Sequence, residues 1–277
     1  MTSASRMLRT LGIYAVLLVG ALVTLGPFLL SAMTAFKTPQ QFAQQSALAA
    51  PDPWSVQNVV TLFGGSTEFG RALGVTALMT AFIVVFQVVF SIMAAYAFAR
   101  VDFPGRRVLF WVYLSTLMVP AIVLVIPLYL MMVQLGLRNT FWGLVLPFSF
   151  GSPYAIFLLR EYFRGIPEDL IDAARLDGAS TLDVLVEVVV PLSRPIIATL
   201  ILITVVSQWN NFLWPLVITS GNTWRVATVA TASLQTQYNG NWTLVMAATT
   251  LAIVPLIVLF LIFQKQIVRS ITISGFR

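Results

Sequence analysis

The chain has 277 residues, 58% of them hydrophobic and 9% charged, with a formal net charge of +6 and a mean hydropathy of +0.90. Such usage lies far outside that of soluble globular domains and identifies a polytopic membrane protein. Neither cysteine nor histidine occurs, which removes disulfides, thiolate chemistry and histidine-based catalysis or metal ligation from consideration.

Charge-free hydrophobic runs cover 10–36, 72–99, 108–137, 139–159, 195–224 and 226–264. Each exceeds the ~20 residues a helix needs to cross a ~30 Å hydrocarbon core. None alternates in the manner of a barrel strand, and lipid demands that backbone groups be satisfied within the segment, so the runs predict α-helices. The expected fold is therefore all-α: about six transmembrane helices at 11–33, 72–99, 108–133, 140–160, 196–218 and 243–264, forming one domain. The first follows Arg6 and Arg9 as a signal peptide would, but Leu11 to Met33 is too long for a signal core and is expected to be a retained anchor.

Between the first two spans, Lys37 to Glu68 carries Gln40, Gln41, Gln44, Gln45, Pro51, Pro53 and the Gly64-Gly65 pair. This composition suits an outer loop with a short helical piece, either capping the bundle toward a delivery protein or simply connecting two spans. Prolines at 120, 127, 147, 153, 215 and 255 fall inside expected spans, where they either kink helices into gates or are tolerated by the bundle.

The segment 164–195 differs from the rest. Six of the ten acidic residues lie between Glu168 and Pro195. Pro167 is suited to the first helical position, and Glu168 and Asp169 complement the macrodipole in the first turn. Ala173 and Ala174 leave little bulk, and Gly178 stands where a left-handed cap would end the helix. Ser180 and Asp183 have capping-box spacing, so a second helix starts almost without a linker and runs toward Pro191 and Pro195. From composition alone this is either a short rod for docking or an interfacial helix with a solvated face.

Further along, Gln87, Gln208, Asn210 and Asn211 are polar groups inside spans, beside the ring of Trp209. Amides suit sugar hydroxyls and an indole suits a sugar face, which makes these five the candidate substrate pathway; interhelical hydrogen bonding is the competing explanation. An outer segment, Thr219 to Trp242, adds Asn222, Gln235, Gln237, Asn239 and Asn241 with the interfacial rings Trp224, Tyr238 and Trp242.

Orientation follows from the basic residues. With a cytoplasmic N-terminus, twelve of the sixteen Lys and Arg fall inside, and only Lys37, Arg71, Arg138 and Arg225 outside, a positive-inside bias that puts both termini in the cytoplasm. The net charge thus reflects topology and contact with anionic lipid headgroups, without the aromatic-basic interleaving of a nucleic-acid surface. The interiors of the expected spans hold no ionisable group, which argues against a proton- or ion-coupled carrier.

Asp172-Ala173-Ala174, Asp177-Gly178-Ala179 and the later Pro191 resemble the EAA loop of ATP-binding-cassette importer permeases, with Asp172 for the usual glutamate and Val190 for the leucine before Pro191. The likeness extends over nearly the whole chain and narrows to the smaller, maltose-type permease subunit of the carbohydrate branch. It is carried by residues 94–100 and Phe103-Pro104-Gly105-Arg106, by Pro127-Leu128-Tyr129 with Leu135-Gly136-Leu137 and Asn139-Thr140, and by Phe157-Leu158-Leu159-Arg160 and residues 209–216. The ending Ser274-Gly275-Phe276-Arg277 departs from the family's usual glycine-valine-lysine-glycine.

The resemblance implies a type I importer permease fold and a subunit without enzyme activity, multi-pass in the cytoplasmic membrane of a prokaryote. Its partners would be a sister permease, two ATP-binding subunits holding ATP and Mg, and an extracytoplasmic solute-binding protein that delivers a sugar, oligosaccharide or amino sugar. Asp172, Ala173, Ala174, Asp177, Gly178 and Pro191 would form the ATPase-coupling site. The residues agree that no ATPase motif is present, since Lys37 follows Phe36 and Lys265 follows Gln264, whereas a phosphate-binding loop needs a lysine after glycine. A secondary carrier or channel subunit working without nucleotide is the alternative.

Overall fold

The computed structural model describes residues 3–64, 67–235 and 240–274, and every regular element among them is helical. In chain order these are α1 (Ser3–Ala35), α2 (Pro39–Gln44), α3 (Gln57–Phe63), α4 (Phe69–Arg100), α5 (Arg106–Ser115), α6 (Ala121–Gln134), α7 (Phe141–Val145) and α8 (Pro153–Arg164). They continue as α9 (Glu168–Leu176), α10 (Thr181–Asp183), a π-helical segment (Val184–Val189), α11 (Val190–Leu192), α12 (Arg194–Trp209), α13 (Leu213–Ile218), α14 (Ala227–Ser233) and α15 (Trp242–Ser274). Gly65, Gln237, Tyr238, Asn239 and the last three residues of the expected pattern lie outside the described residues.

Three helices are each long and apolar enough to cross a membrane alone: Arg9–Ala35, Phe69–Arg100 and Trp242–Gln264. The other expected spans are broken. Arg106–Met118 meets Ala121–Gln134 at 101°, and Phe141–Phe148 meets Pro153–Arg164 at 41°. Proline sets both bends. Pro120 is the N-cap of α6 and drives Val119 into an extended conformation, while Pro153 opens α8. Pro127 and Pro255, by contrast, sit inside continuous helices.

The fifth span departs most from expectation. Instead of one helix over 196–218, α12 ends at Trp209 and α13 begins at Leu213. Pro215 accounts for the break: a continuous helix would need its N–H to reach the Asn211 carbonyl, and the ring would collide with that oxygen. The Thr228 hydroxyl donates to the freed Asn211 carbonyl at 2.8 Å instead.

The described residues fall into two compact units. The first comprises residues 1–70 and 229–255. There Asn58 ties the start of the outer loop together, donating to the Ala35 and Lys37 carbonyls at 2.8 Å each, with its own Oδ1 3.1 Å from the Thr243 hydroxyl. Thr38 and Gln41 form a reciprocal capping box that starts α2, the short helical piece expected in this loop. Lys37, counted among the outer charges, is 1% exposed, and its Nζ donates to the Ser46 carbonyl at 3.1 Å.

The second unit, residues 71–228 and 256–277, has a core that unites spans with the acidic loop. Val84, Val88, Ala95, Tyr96 and Phe98 of α4 share one cluster with Ala155, Ile156, Leu159 and Phe163 of α8, Leu200 of α12, and Ile171, Val184, Leu185 and Val189 of the loop. Full burial of one such aliphatic side chain contributes ~1.5–3 kcal/mol. Gly143 permits a close approach elsewhere in this unit, since a Cβ there would lie 2.2 Å from the Leu137 carbonyl oxygen. Its own carbonyl accepts from Trp214 Nε1 at 3.0 Å.

Candidate functional site

The loop 164–195 is built from local backbone chemistry. Pro167 serves as the N-cap of α9, one position earlier than expected, with Glu168 and Asp169 in the first turn and Arg175 in the last. Ile166 and Ile171 stand at the N′ and N4 positions of a hydrophobic staple, and both belong to the core. At the other end, the Ala179 N–H reaches the Ala174 carbonyl and the Gly178 N–H the Arg175 carbonyl, each at 3.0 Å, which is a Schellman motif. Gly178 supplies the left-handed residue it requires, at φ +90°.

This geometry sorts the six candidate coupling residues. Ile171 is 1% exposed, and Ala174 packs half-buried against the core. Asp172, Ala173, Asp177 and Gly178 lie exposed on the surface, as does Leu176 at 89%. Asp172 faces Arg175 at 3.6 Å. The rod thus has an anchored face and a free face.

Ser180 begins the next helix through the expected capping box: it accepts from the Asp183 N–H at 3.3 Å, while Asp183 Oδ2 accepts from the Ser180 N–H at 2.9 Å and its hydroxyl at 2.5 Å. The Ser180 hydroxyl and N–H hold the Asp183 carboxyl below the usual carboxylate range. Downstream the helix widens into the π segment, with the Val190 N–H bonded to the Leu185 carbonyl five residues back. Pro191 explains the widening, because in an α-helix its ring would strike the Glu187 carbonyl and leave it without a donor. Thr181–Leu192 then turns through 81° into α12 at Ser193, whose hydroxyl is buried with no hydrogen-bond partner among the described residues.

Two arginines that the sequence offers as inside charges and as part of the family resemblance, without a structural role, frame this loop. Arg100, the last residue of α4, donates through Nη2 to the Phe163 carbonyl at 2.8 Å and to the Ile166 carbonyl. Arg160, on α8, donates through Nε to the Phe98 carbonyl at 3.3 Å, while its guanidinium lies 4.1 Å above the Phe110 ring. Each helix's arginine therefore serves carbonyls at the other's C-terminal end. The only signal for this in the sequence is an arginine closing each of the second and fourth expected spans.

The candidate pathway residues differ in their surroundings. Gln208 and Trp209 are buried at the end of α12, and Asn211 is half-buried with its Nδ2 3.4 Å from Gln208 Oε1. Asn210 is exposed, but its Nδ2 donates to the Val206 carbonyl of its own helix at 2.8 Å. Gln87 is half-buried on α4, and no hydrogen bond among the described residues joins it to the 208–211 group.

Residues 87–273 match the family described as the binding-protein-dependent transport system inner membrane component. The arabinooligosaccharides transport system permease protein AraQ of Halalkalibacterium halodurans is 31% identical, over 92% of each chain. The sn-glycerol-3-phosphate transport system permease protein UgpE of Yersinia pestis is 33% identical, over 93% of this chain and 94% of that protein. Among solved structures, a bacterial ABC transporter involved in the import of the acidic polysaccharide alginate superposes with a TM-score of 0.83 at 26% identity, covering 96% of this chain and 98% of that one. A second alginate transporter structure, in complex with an alginate pentasaccharide-bound periplasmic protein, shares the fold with a TM-score of 0.67 at 19% identity. The chain belongs to the binding-protein-dependent transport system inner membrane components: it is a multi-pass permease subunit of an ATP-binding-cassette importer, not an enzyme.

Proposed function

We propose that the chain forms half of a translocation pathway for a carbohydrate and that α9 receives the stroke of a separate ATPase. The observation that supports this reading is the two-faced character of α9. Its inner face, through Ile171, Ala174 and Ala179, is continuous with a core that includes α4, α8 and α12, while Asp172, Ala173, Asp177 and Gly178 are exposed on the other face. A push on the free face is delivered to spans rather than absorbed in a linker. Pro191 belongs to the same device as the residue that shapes the turn into α12.

In this reading ATP and Mg are bound by two ATP-binding subunits, a sister permease completes the pathway, and an extracytoplasmic binding protein presents the sugar. Both termini are cytoplasmic, in the cytoplasmic membrane of a prokaryote. Differential contacts of the ATPases with α9 bias a two-state equilibrium between inward- and outward-facing bundles. The amides of Gln87, Asn210 and Asn211 are offered to sugar hydroxyls in a state where the Val206 carbonyl is released; Gln208 and Trp209 support them from within the bundle. The carbohydrate class draws on the resemblance to the carbohydrate branch and on the names of AraQ and the alginate transporter.

The test is purification from membranes by a tag on this subunit, followed by reconstitution and uptake of an arabinooligosaccharide, maltose, glycerol 3-phosphate and an alginate oligosaccharide. Recovery of an ATPase and a sister permease, with ATP-dependent uptake of a sugar, is expected. Uptake without nucleotide by the isolated chain would establish the secondary carrier instead, and uptake of glycerol 3-phosphate alone would remove the carbohydrate class.

A further inference from the structure

We propose that Arg100 is a positioning residue for transport, locking the start of α9 to the end of the second span so that the two move as one body. The inference rests on the coupling reading of α9. Its basis is a crossed pair of arginines within one compact unit.

The last four carbonyls of any helix lack intrahelical donors and must find others. At the end of α8 the Phe163 carbonyl accepts from the Ile166 N–H at 3.3 Å and from Arg100 Nη2 at 2.8 Å. The same nitrogen reaches the carbonyl of Ile166, the residue immediately before the N-cap of α9. One guanidinium therefore spans the junction between α8 and α9 while belonging to α4. Its side chain is 12% exposed, so these charge-assisted bonds are shielded from water and from salt. Arg160 returns the contact in the opposite direction, from α8 to the Phe98 carbonyl of α4.

The partner charge is secondary. Arg100 Nη1 is 4.0 Å from Glu168 Oε1, and the Glu168 side chain is 77% exposed, a pair of little worth in water. The grip is on backbone, which cannot swing away as a side chain can. Arg100 Nε, moreover, is buried with no hydrogen-bond partner among the described residues. A buried unpaired donor is costly and calls for an explanation. Keeping the guanidinium at that cost fits a side chain retained for its grip on the two carbonyls.

The absence of native cysteine allows a direct test by spin labels at Arg175→Cys on α9 and Met93→Cys on α4, both exposed, in the assembled importer. The distance distribution is measured without nucleotide and after trapping with ATP and vanadate. In the otherwise native complex one narrow distribution is expected in both states. Arg100→Met is expected to keep it narrow without nucleotide and to broaden it on trapping, with the ratio of binding-protein-stimulated to basal hydrolysis falling about tenfold, the scale of one lost charge-assisted bond. Arg100→Lys, which keeps the charge but not the fork, is expected to broaden it less and carries the test if Arg100→Met fails to assemble.

Glu168→Gln should leave the distribution narrow. A narrow distribution in both arginine variants after trapping overturns the inference. So does broadening already present without nucleotide, since that is the mark of a merely structural contact. An unsubstituted complex that hydrolyses no ATP overturns the coupling reading itself, a result visible before any arginine is changed.

Discussion

Ala173 and Ala174 are adjacent and chemically identical, yet the fold gives them opposite surroundings. Ala174 faces the core, so Ala174→Arg forces a guanidinium against apolar side chains and disrupts packing as well as docking. Gly178→Trp is confounded in a different way, because φ +90° costs any other residue ~1–2 kcal/mol before docking is considered. Ala173→Arg is the clean substitution. It is expected to leave the melting temperature of the complex within a few degrees while lowering ATP-dependent uptake about tenfold or more, as measured in proteoliposomes.

Asp183 carries a pH dependence with a definite sign. Its carboxyl titrates below the ordinary value of ~3.9, so the cap is fully present above that value and is lost as the pH falls through the depressed one. Hydrogen-exchange protection at the start of α10 should therefore be flat from about pH 8 to 5 and decline only in stronger acid. A decline near neutrality would show that the cap does not depend on this carboxylate.

Caps, turns and the left-handed glycine were legible in the sequence because each is decided by residues within five positions of one another. Arg100 and Arg160 were not. Their acceptors lie 63 and 62 residues away, and an arginine at the inner end of a span has a sufficient explanation in topology alone.

At the scale of elements, hydropathy located the apolar segments but not their breaks. Hydropathy sums over a window, whereas a break depends on a single missing N–H. The chain breaks at Pro120 and just before Pro215, yet Pro127 and Pro255 sit inside continuous helices, and composition draws no distinction among the four. The π segment was equally hidden, since Val184 to Leu192 reads as an ordinary apolar helix.

Pro191→Ala restores the donor and removes the clash, so this segment is expected to tighten to α-helical pairing and turn by about one residue's rotation, ~100°. The melting temperature should hold or rise, while the ratio of binding-protein-stimulated to basal ATP hydrolysis should fall several-fold. A ratio equal to that of the unsubstituted complex would mean that the widened turn has no part in passing motion to α12.

For the whole molecule, charge bias argues orientation, and the absence of cysteine makes orientation measurable. A membrane-impermeant maleimide applied to intact cells should label Ser220→Cys and not Arg175→Cys, both exposed positions; disrupted cells should show both. The reverse pattern would invert the topology and place α9 out of reach of any cytoplasmic ATPase.

The free face of the loop also bears on the life of the subunit before it is assembled. Leu170, Leu176, Leu182 and Val186 are all exposed on the chain taken alone, so this segment presents an apolar patch that is uncovered until a partner covers it. Such a patch is what proteases and chaperones recognise. If this patch is the surface that an ATPase covers, the subunit made without its partner is expected to be degraded faster than the assembled one, which pulse-chase labelling with and without the ATPase checks.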